Sequence, residues 1–251
     1  MSFPRPVFDH LVINASERVD EAEAIYRGLG FTLTPRGHHS LGSVNHCAMF
    51  PRDYLEIVGV PRDGAVRRAE LLRFPEGLNG IVFATDDAPL LYKTLVAAGA
   101  PVEAPLEFSR PVILDDGPHE ARFRVVRVAA EAARYGRVYF CEHLTRGLVW
   151  REAWLRHANS ACGILRAVLL ASDPNRTAAL YRRLFGATAV TPVAGGFSLA
   201  AGEARLDIVT RAWGAEALDE DRLLGLALRT RGKPRLVPPA GAFGLYLELV
   251  A

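Results

Sequence analysis

The clearest pattern along this chain is a strand-like stretch followed by a helix-like stretch and three further strand-like stretches. Residues 8–13 carry one histidine among apolar residues, and an amphipathic helix that Ser16 would cap follows them and ends near Gly28. Extended stretches at 31–34, 45–50 and 54–58 come next. The order predicts a βαβββ module.

The same order returns further along the chain. A second module is predicted at 78–84, a helix capped by Asp86 or Asp87, and strands at 106–113, 121–129 and 137–143; a third runs from 165 to 209, and a partial fourth comprises 223–230 and 243–250. One module leaves a sheet incomplete, so we expect pairs of modules that form curved half-barrel sheets in an α+β fold. The expected domains are residues 1–158, with two paired modules, and 159–251, with the third and the partial fourth.

Composition narrows the class of protein. Half of the 251 residues are hydrophobic, and 30 basic against 28 acidic residues give a formal charge of +2. The absence of a dense Lys/Arg block argues against nucleic acid and anionic membranes as partners. No segment reaches the roughly 20 apolar residues that span a bilayer, and the first residues do not resemble a signal peptide. Three widely spaced cysteines predict reduced thiols and a cytoplasmic location.

Two strand-like stretches each carry one side chain that can bind a metal. Alternate residues of a strand share a face, so His10 would lie with Val12, and Glu56 with Val58. If the two strands are neighbours in one sheet, His10 and Glu56 converge on the face opposite the helix-covered core.

These residues resemble the glyoxalase-like branch of the vicinal oxygen chelate superfamily. The matching pieces are Phe8-Asp9-His10-Leu11-Val12-Ile13, Leu29-Gly30-Phe31, Asn45, Tyr54-Leu55-Glu56-Ile57 and Phe140-Cys141-Glu142-His143-Leu144-Thr145. The resemblance implies paired βαβββ modules around a cup that holds a divalent metal, with ligands from the first and last strands of each module. Its members include isomerases, ring-cleaving dioxygenases, transferases and metal-free sequestering proteins.

Carried over by position, the resemblance places His10 and Glu56 at the two ligand positions of the first module. In the second module Gly80 occupies the first-strand position, and the last strand offers Glu142 and His143, of which only one can face the cup. His143 is the expected ligand. His10, Glu56 and His143 together suit Zn, Mn, Ni or Fe. In the third module Arg166 and Asp207 stand at these positions, which argues against a second metal centre.

Further polar residues are candidates for contacts with a small-molecule substrate. Asn45, His46, Arg122 and Arg124 could hold a carboxylate or carbonyl, with a solvated outer strand face as the alternative for both arginines. His38 and His39 lie in a polar loop, where exposed side chains or a lid are expected.

The leading hypothesis is a metal-dependent isomerase or lyase that moves a proton on a small oxygen-chelating substrate. Glu56, or Glu142 if it faces inward, would be the general base. The alternatives are a metal-free small-molecule binding or sequestering protein and, ranked lower, an Fe(II) dioxygenase. Either a monomer or a homodimer is compatible with intrachain pairing of the modules.

Overall fold

The fold is organised around two large sheets. The computed structural model describes residues 3–61, 68, 70–114, 116–217 and 219–251. The eight strands of the first sheet are β1 (Phe8–Ser16), β2 (Gly37–His38), β3 (Val44–Met49), β4 (Tyr54–Gly59), β5 (Gly77–Ala84), β6 (Leu106–Leu114), β7 (Gly117–Arg127) and β8 (Arg137–His143). The α-helices are α1 (Val19–Gly28), α2 (Glu70–Arg73), α3 (Ala88–Ala97), α4 (Arg146–Val149) and α5 (Pro174–Phe185).

The second sheet repeats the plan in the rest of the chain. Its seven strands are β9 (Ala161–Leu170), β10 (Val190–Val193), β11 (Gly196–Ala201), β12 (Ala204–Val209), β15 (Arg222–Thr230), β16 (Arg235–Val237) and β17 (Tyr246–Val250), while β13 (Arg211–Ala212) and β14 (Ala215–Glu216) form a separate ribbon. No described helix is long and apolar enough to cross a membrane.

Within each sheet, the first strand of one module pairs antiparallel with the first strand of the other. In the first sheet β1 pairs with β5, and each also pairs in parallel with the last strand of its own module, β4 or β8. In the second sheet β9 and β15 pair in the same way. The sheet order β2-β3-β4-β1-β5-β8-β7-β6 follows. The predicted α+β fold of paired βαβββ modules is therefore confirmed.

The first sheet curls until its edges meet. The backbone N–H of Ser40, just after β2, donates to the carbonyl of Ser109 on β6 at 2.8 Å. This contact makes the sheet an almost closed cup. The inner face is lined by one set of alternate residues, and the other set packs against helices.

One apolar core lies on the helix-covered faces of both sheets. It includes Leu11 and Ile13 of β1, Tyr26 of α1, and Leu169 and Leu226 of the second sheet, all fully buried. Because this core is continuous, the division into domains at residues 158 and 159 stays a prediction, although each sheet lies on its own side of that point.

Local expectations differ from the structure at two places. Ser16 ends β1 with φ of 50°, and α1 begins after Arg18 without a side-chain cap, so Ser16 does not cap it. Residues 31–34 form no regular strand. Asp87, in contrast, caps α3 as predicted by accepting from the backbone N–H of Leu90 at 2.9 Å.

Candidate active site in the first cup

A cavity of about 380 Å³ opens inside the first sheet. His10 and Glu56 both line it, as strand alternation predicts. The Nε2 atom of His10 lies 3.7 Å from Oε2 of Glu56. Asn45 also faces the cavity, and its Nδ2 donates to Oε1 of Glu56 at 2.7 Å. The first module therefore gathers three of the predicted site residues on one wall.

A bulge in β1 adds Asp9 to the site. The pairing of β1 with β5 shifts register between Phe8 and His10, so Asp9 is an extra residue and its side chain shares the buried inner region with that of His10. Its Oδ1 accepts from Nδ1 of His10 at 2.5 Å and from Nε2 of His143 at 3.0 Å. Burial alone would raise the pKa of Asp9, but His143 and the two hydrogen bonds hold the pKa well below its usual range.

His39 is the largest departure from the sequence-based expectation. Its side chain is 8% exposed, it lines the cavity, and its Nε2 lies 3.8 Å from Oε1 of Glu56. Its Nδ1 lies 2.9 Å from the hydroxyl of Ser43. Burial lowers the pKa of His39 to about 4, and the charges of Arg110 and Arg68 act in the same direction. His39 is thus neutral at pH 7, whereas its neighbour His38 is exposed as expected.

Sheet register identifies the second-module residue that corresponds to Glu56. In the first module His10 pairs with Tyr54, two residues before Glu56. In the second module Gly80 pairs with Arg137, two residues before Tyr139. Tyr139, and neither Glu142 nor His143, therefore stands at the equivalent position, and its hydroxyl lies 3.1 Å from Nε2 of His10.

Strand alternation also separates Glu142 from His143. Glu142 faces the helices, where its Oε2 accepts from the backbone N–H of Ala88 at the start of α3 at 3.0 Å. His143 faces the inner side but lies deep, with its ring 4.9 Å from that of Trp150. Its Nδ1 is buried and has no hydrogen-bond partner among the described residues. Glu142 is thus placed away from the expected catalytic position.

Three predicted substrate contacts lie outside the cup. Arg122 and Arg124 flank the inward-facing Phe123 and form ion pairs with Glu107 on the outer surface. His46 alternates with Asn45 on β3, so its ring points toward α1, where its Nε2 lies 3.0 Å from Oε2 of Glu23. Both arginines thus follow the alternative of an outer strand face, whereas His46 is packed in a buried position.

The residues around Glu56 have the donor types that suit a divalent metal. Burial alone would raise the pKa of Glu56, but His10, His39 and the bond from Asn45 lower it, so the side chain is ionised at neutral pH. Two donors on one tetrahedral zinc ion lie about 3.4 Å apart when each bond is about 2.1 Å long. The separations are 3.7 Å from His10 to Oε2 of Glu56 and 3.8 Å from His39 to Oε1, so the two imidazoles approach different oxygens of the carboxylate. Asp9 and Ser43 hold the opposite ring nitrogens, as residues behind metal ligands do.

A second group of donors lies deeper in the same cup. Asp9, Cys141 and His143 have donor atoms within 4.8 Å of one another. Burial raises the pKa of the Cys141 thiol well above its usual value, and metals bind the thiolate. The oxygen of Asp9 already accepts two hydrogen bonds. Among the described residues it is the more compact of the two groups, because the donor atoms of His10, His39 and Glu56 do not all lie within 4.8 Å of one another.

The fold and the cup have counterparts among known proteins. A family profile described as a glyoxalase-like domain matches residues 8–185. The chain belongs to the glyoxalase-like domain family. The resemblance to the vicinal oxygen chelate superfamily is thereby confirmed. A search of the curated proteins found no match.

Solved structures extend the likeness of this glyoxalase-like protein beyond the matched range. A hypothetical protein from Staphylococcus aureus superposes with a TM-score of 0.75 at 13% identity, over 97% of this chain and 99% of that chain. A mutant of 4-hydroxymandelate synthase from Streptomyces coelicolor superposes with a TM-score of 0.55 at 14% identity, over 90% of this chain and 71% of that chain. At these identities the likeness establishes the fold alone.

The second sheet contains no comparable donor set among its described residues. Arg166 lies 3.8 Å from Asp207 and 3.2 Å from Glu248, and its guanidinium lies over the ring of Trp213. An ion-paired arginine therefore stands at the first-strand position, as the sequence indicates.

Proposed function

We propose that this glyoxalase-like protein is a metal-dependent isomerase or lyase that moves a proton on a small oxygen-chelating substrate in the first cup. One observation carries the proposal: the Nε2 atoms of His10 and His39 approach the two oxygens of an ionised Glu56 at 3.7 and 3.8 Å. All three residues line a cavity large enough for a small molecule.

His10, His39 and Glu56 would hold the metal, with His39 taking the place that the sequence assigned to His143. A divalent ion bound there supplies Lewis acidity toward two oxygens of a substrate. Two imidazoles and one carboxylate suit Zn, Mn and Ni, and the same set suits Fe(II) in oxygenases. The identity of the bound metal therefore separates proton transfer from the lower-ranked dioxygenase.

Glu56 is the residue proposed to accept the proton. It is ionised, and Asn45 fixes one of its oxygens, which leaves Oε2 directed toward the cavity wall that contains His10. Tyr139 is the proposed proton donor, because burial raises the pKa of this phenol and keeps the proton on its oxygen. The Tyr139 hydroxyl lies 3.1 Å from Nε2 of His10. A ligand bond at that nitrogen would free the hydroxyl to donate to substrate.

Metal content tests the proposal directly. Protein purified without added metal is analysed by mass spectrometry, and we expect about one equivalent of a divalent ion in the wild type. A His10→Ala, Glu56→Ala double variant should lose it. His39→Ala should bind metal at least tenfold more weakly, and His38→Ala, the exposed neighbour, is the matched control and should bind as the wild type does.

The same series tests the ligand set predicted from the sequence. If His143→Ala abolishes metal binding while His39→Ala does not, His143 is the third ligand. Loss in a Cys141→Ser variant would place the ion in the deeper group.

A metal-free sequestering protein is the second candidate. Gly80 and Tyr139 leave the second module without a carboxylate or imidazole at its two ligand positions, and this favours that alternative. A wild-type protein without bound metal would refute the enzyme mechanism and support sequestration. The free cysteines support the proposed cytoplasmic location. Monomer or homodimer stays a prediction for solution measurement.

A further inference from the structure

Arg110 is a buried cation on the wall of the first cup. It lies on β6, next to β7, and faces inward together with Phe108 and Val112 because the three alternate along the strand. The residue is 5% exposed and lines the cavity.

The guanidinium of Arg110 has no ionic partner in the described part of the chain. No hydrogen bond or ion pair joins it to another described residue, and its one specific contact is with the ring of Phe123, 5.9 Å from the centroid. A guanidinium presents five N–H donors that need acceptors, and those of Arg110 lie at the cavity lining. An anion bound in the cavity would supply both the charge and the acceptors.

The cavity around Arg110 has the charge and shape for such an anion. Its lining contains five arginines, Arg68, Arg73, Arg110, Arg127 and Arg137, against two glutamates, Glu56 and Glu103. The resulting positive potential favours an anionic ligand. Phe108 and Phe123 stack beside the guanidinium with centroids 5.2 Å apart and planes 22° apart, which forms a flat apolar wall.

Close packing connects Arg110 to the proposed catalytic group. A Cβ on Gly37 would lie 2.3 Å from Oδ1 of Asn45 and 3.3 Å from Nη1 of Arg110. Only glycine at this position leaves room for both side chains. Asn45 in turn donates to Glu56. An anion on Arg110 would therefore sit one side chain away from Glu56.

We propose that Arg110 binds the carboxylate of the substrate, and that the substrate is a small carboxylic acid with a flat apolar body that packs on Phe108 and Phe123. The position of the reacting carbon rests on the proposed function, but the binding of the carboxylate does not require the metal. A guanidinium and a carboxylate match in planar, two-point geometry, which a neutral amide cannot reproduce.

Binding of benzoate and benzamide to chelator-treated protein tests this inference. The two probes have the same shape and differ in charge, and their affinities are measured by titration calorimetry. We expect the wild type to bind benzoate at least tenfold more tightly than benzamide. Arg110→Met should abolish this preference, and Arg110→Lys should retain part of it. Arg122→Met, which removes an arginine on the outer face of the adjacent strand, is the matched control and should keep the full preference.

Two results would overturn the assignment: equal affinity of the wild type for both probes, or an undiminished benzoate preference in Arg110→Met. Folding is checked by thermal melting, and Arg110→Met is expected to melt at or above the wild-type temperature, because it removes an unpaired buried charge. If this variant does not fold, Arg110→Lys and Arg110→Gln decide, since only the lysine should keep a preference for the anion.

The outcome is separable from that of the proposed function. A metal-free protein that prefers benzoate through Arg110 refutes the metal-dependent mechanism and retains the carboxylate site. A metal-binding protein with equal affinity for benzoate and benzamide refutes the carboxylate site and retains the metal-dependent mechanism.

Discussion

Asp9 is expected to be the most sensitive acidic residue of the first sheet. It is 2% exposed and is the shared acceptor for His10 at 2.5 Å and His143 at 3.0 Å. The change Asp9→Asn preserves the size of the side chain and removes its charge. It therefore isolates the electrostatic part of the interaction from packing.

The expected loss follows from the two hydrogen bonds. Hydrogen bonds to charged groups contribute about 1.5–3 kcal/mol each, so two give about 3–6 kcal/mol. Asparagine keeps one acceptor oxygen, which reduces the expected loss in free energy of unfolding to about 2–4 kcal/mol. Against the roughly 5–15 kcal/mol that stabilises a folded domain, this loss is large but leaves the chain folded.

Urea denaturation followed by circular dichroism measures this loss. Asp20→Asn is the matched control, because Asp20 is exposed and pairs with Arg36 at 2.5 Å on the surface. A surface ion pair contributes at most about 1 kcal/mol. Metal affinity gives a second readout, since the loss of a carboxylate behind a ligating histidine weakens binding about 10–100-fold. If Asp9→Asn lowers stability no more than Asp20→Asn, Asp9 does not organise the two imidazoles.

Three other changes probe separate parts of the chain. Burial raises the pKa of Asp53 from 3.8 to about 7, so the folded protein loses stability as pH rises between these values. The Asp53→Asn variant should therefore have a higher melting temperature than the wild type at pH 8 and no such difference at pH 4. A difference in melting temperature that does not change with pH would refute the raised pKa. In Gly80→Ala the new Cβ would lie 2.8 Å from Cβ of Val12, so urea denaturation should show a loss of about 1–3 kcal/mol in the free energy of unfolding. An unchanged denaturation midpoint would show that β1 and β5 move apart without cost. Glu142→Gln should leave the metal content unchanged, and it should lower the free energy of unfolding by up to about 1 kcal/mol because the carboxylate accepts from the first residue of α3. Loss of metal in this variant would show that Glu142 belongs to the metal site.

Much of the architecture could be predicted because local patterns determine it. The alternation around His10 and Glu56 indicates which face of each strand packs against helices, and the repeat indicates that one module must pair with another. Those two facts bring His10, Glu56 and Asn45 together without knowledge of any contact between distant residues. His46, Arg122 and Arg124 also lie on regular strands but point away from the cup, and residue type alone did not indicate which face they occupy.

The remaining site residues depend on irregular or long-range features. Asp9 reaches the inner face only because a bulge breaks the alternation of β1, and neither residue type nor spacing indicates a bulge there. His39 is buried because the edges of the sheet meet at Ser40 and Ser109, which are far apart in sequence. Arg110 belongs to an edge strand whose inward face depends on register with β7. The motif around Glu142 and His143 indicated the right strand, but only the sheet register shows that Tyr139 is the counterpart of Glu56.

The two modules line the first cup with different residues. A side chain at Gly80 would collide with Val12, so the second module cannot place a ligand opposite His10. The donors consequently collect on β1, β3, β4 and the segment that carries His39. The strands β6 and β7 of the second module are left to present Arg110 and the aromatic wall. Under the proposed function, the first module would supply the metal ligands and the base, and the second would supply Tyr139, Arg110 and the aromatic wall, so a change confined to Arg110 should leave metal binding intact.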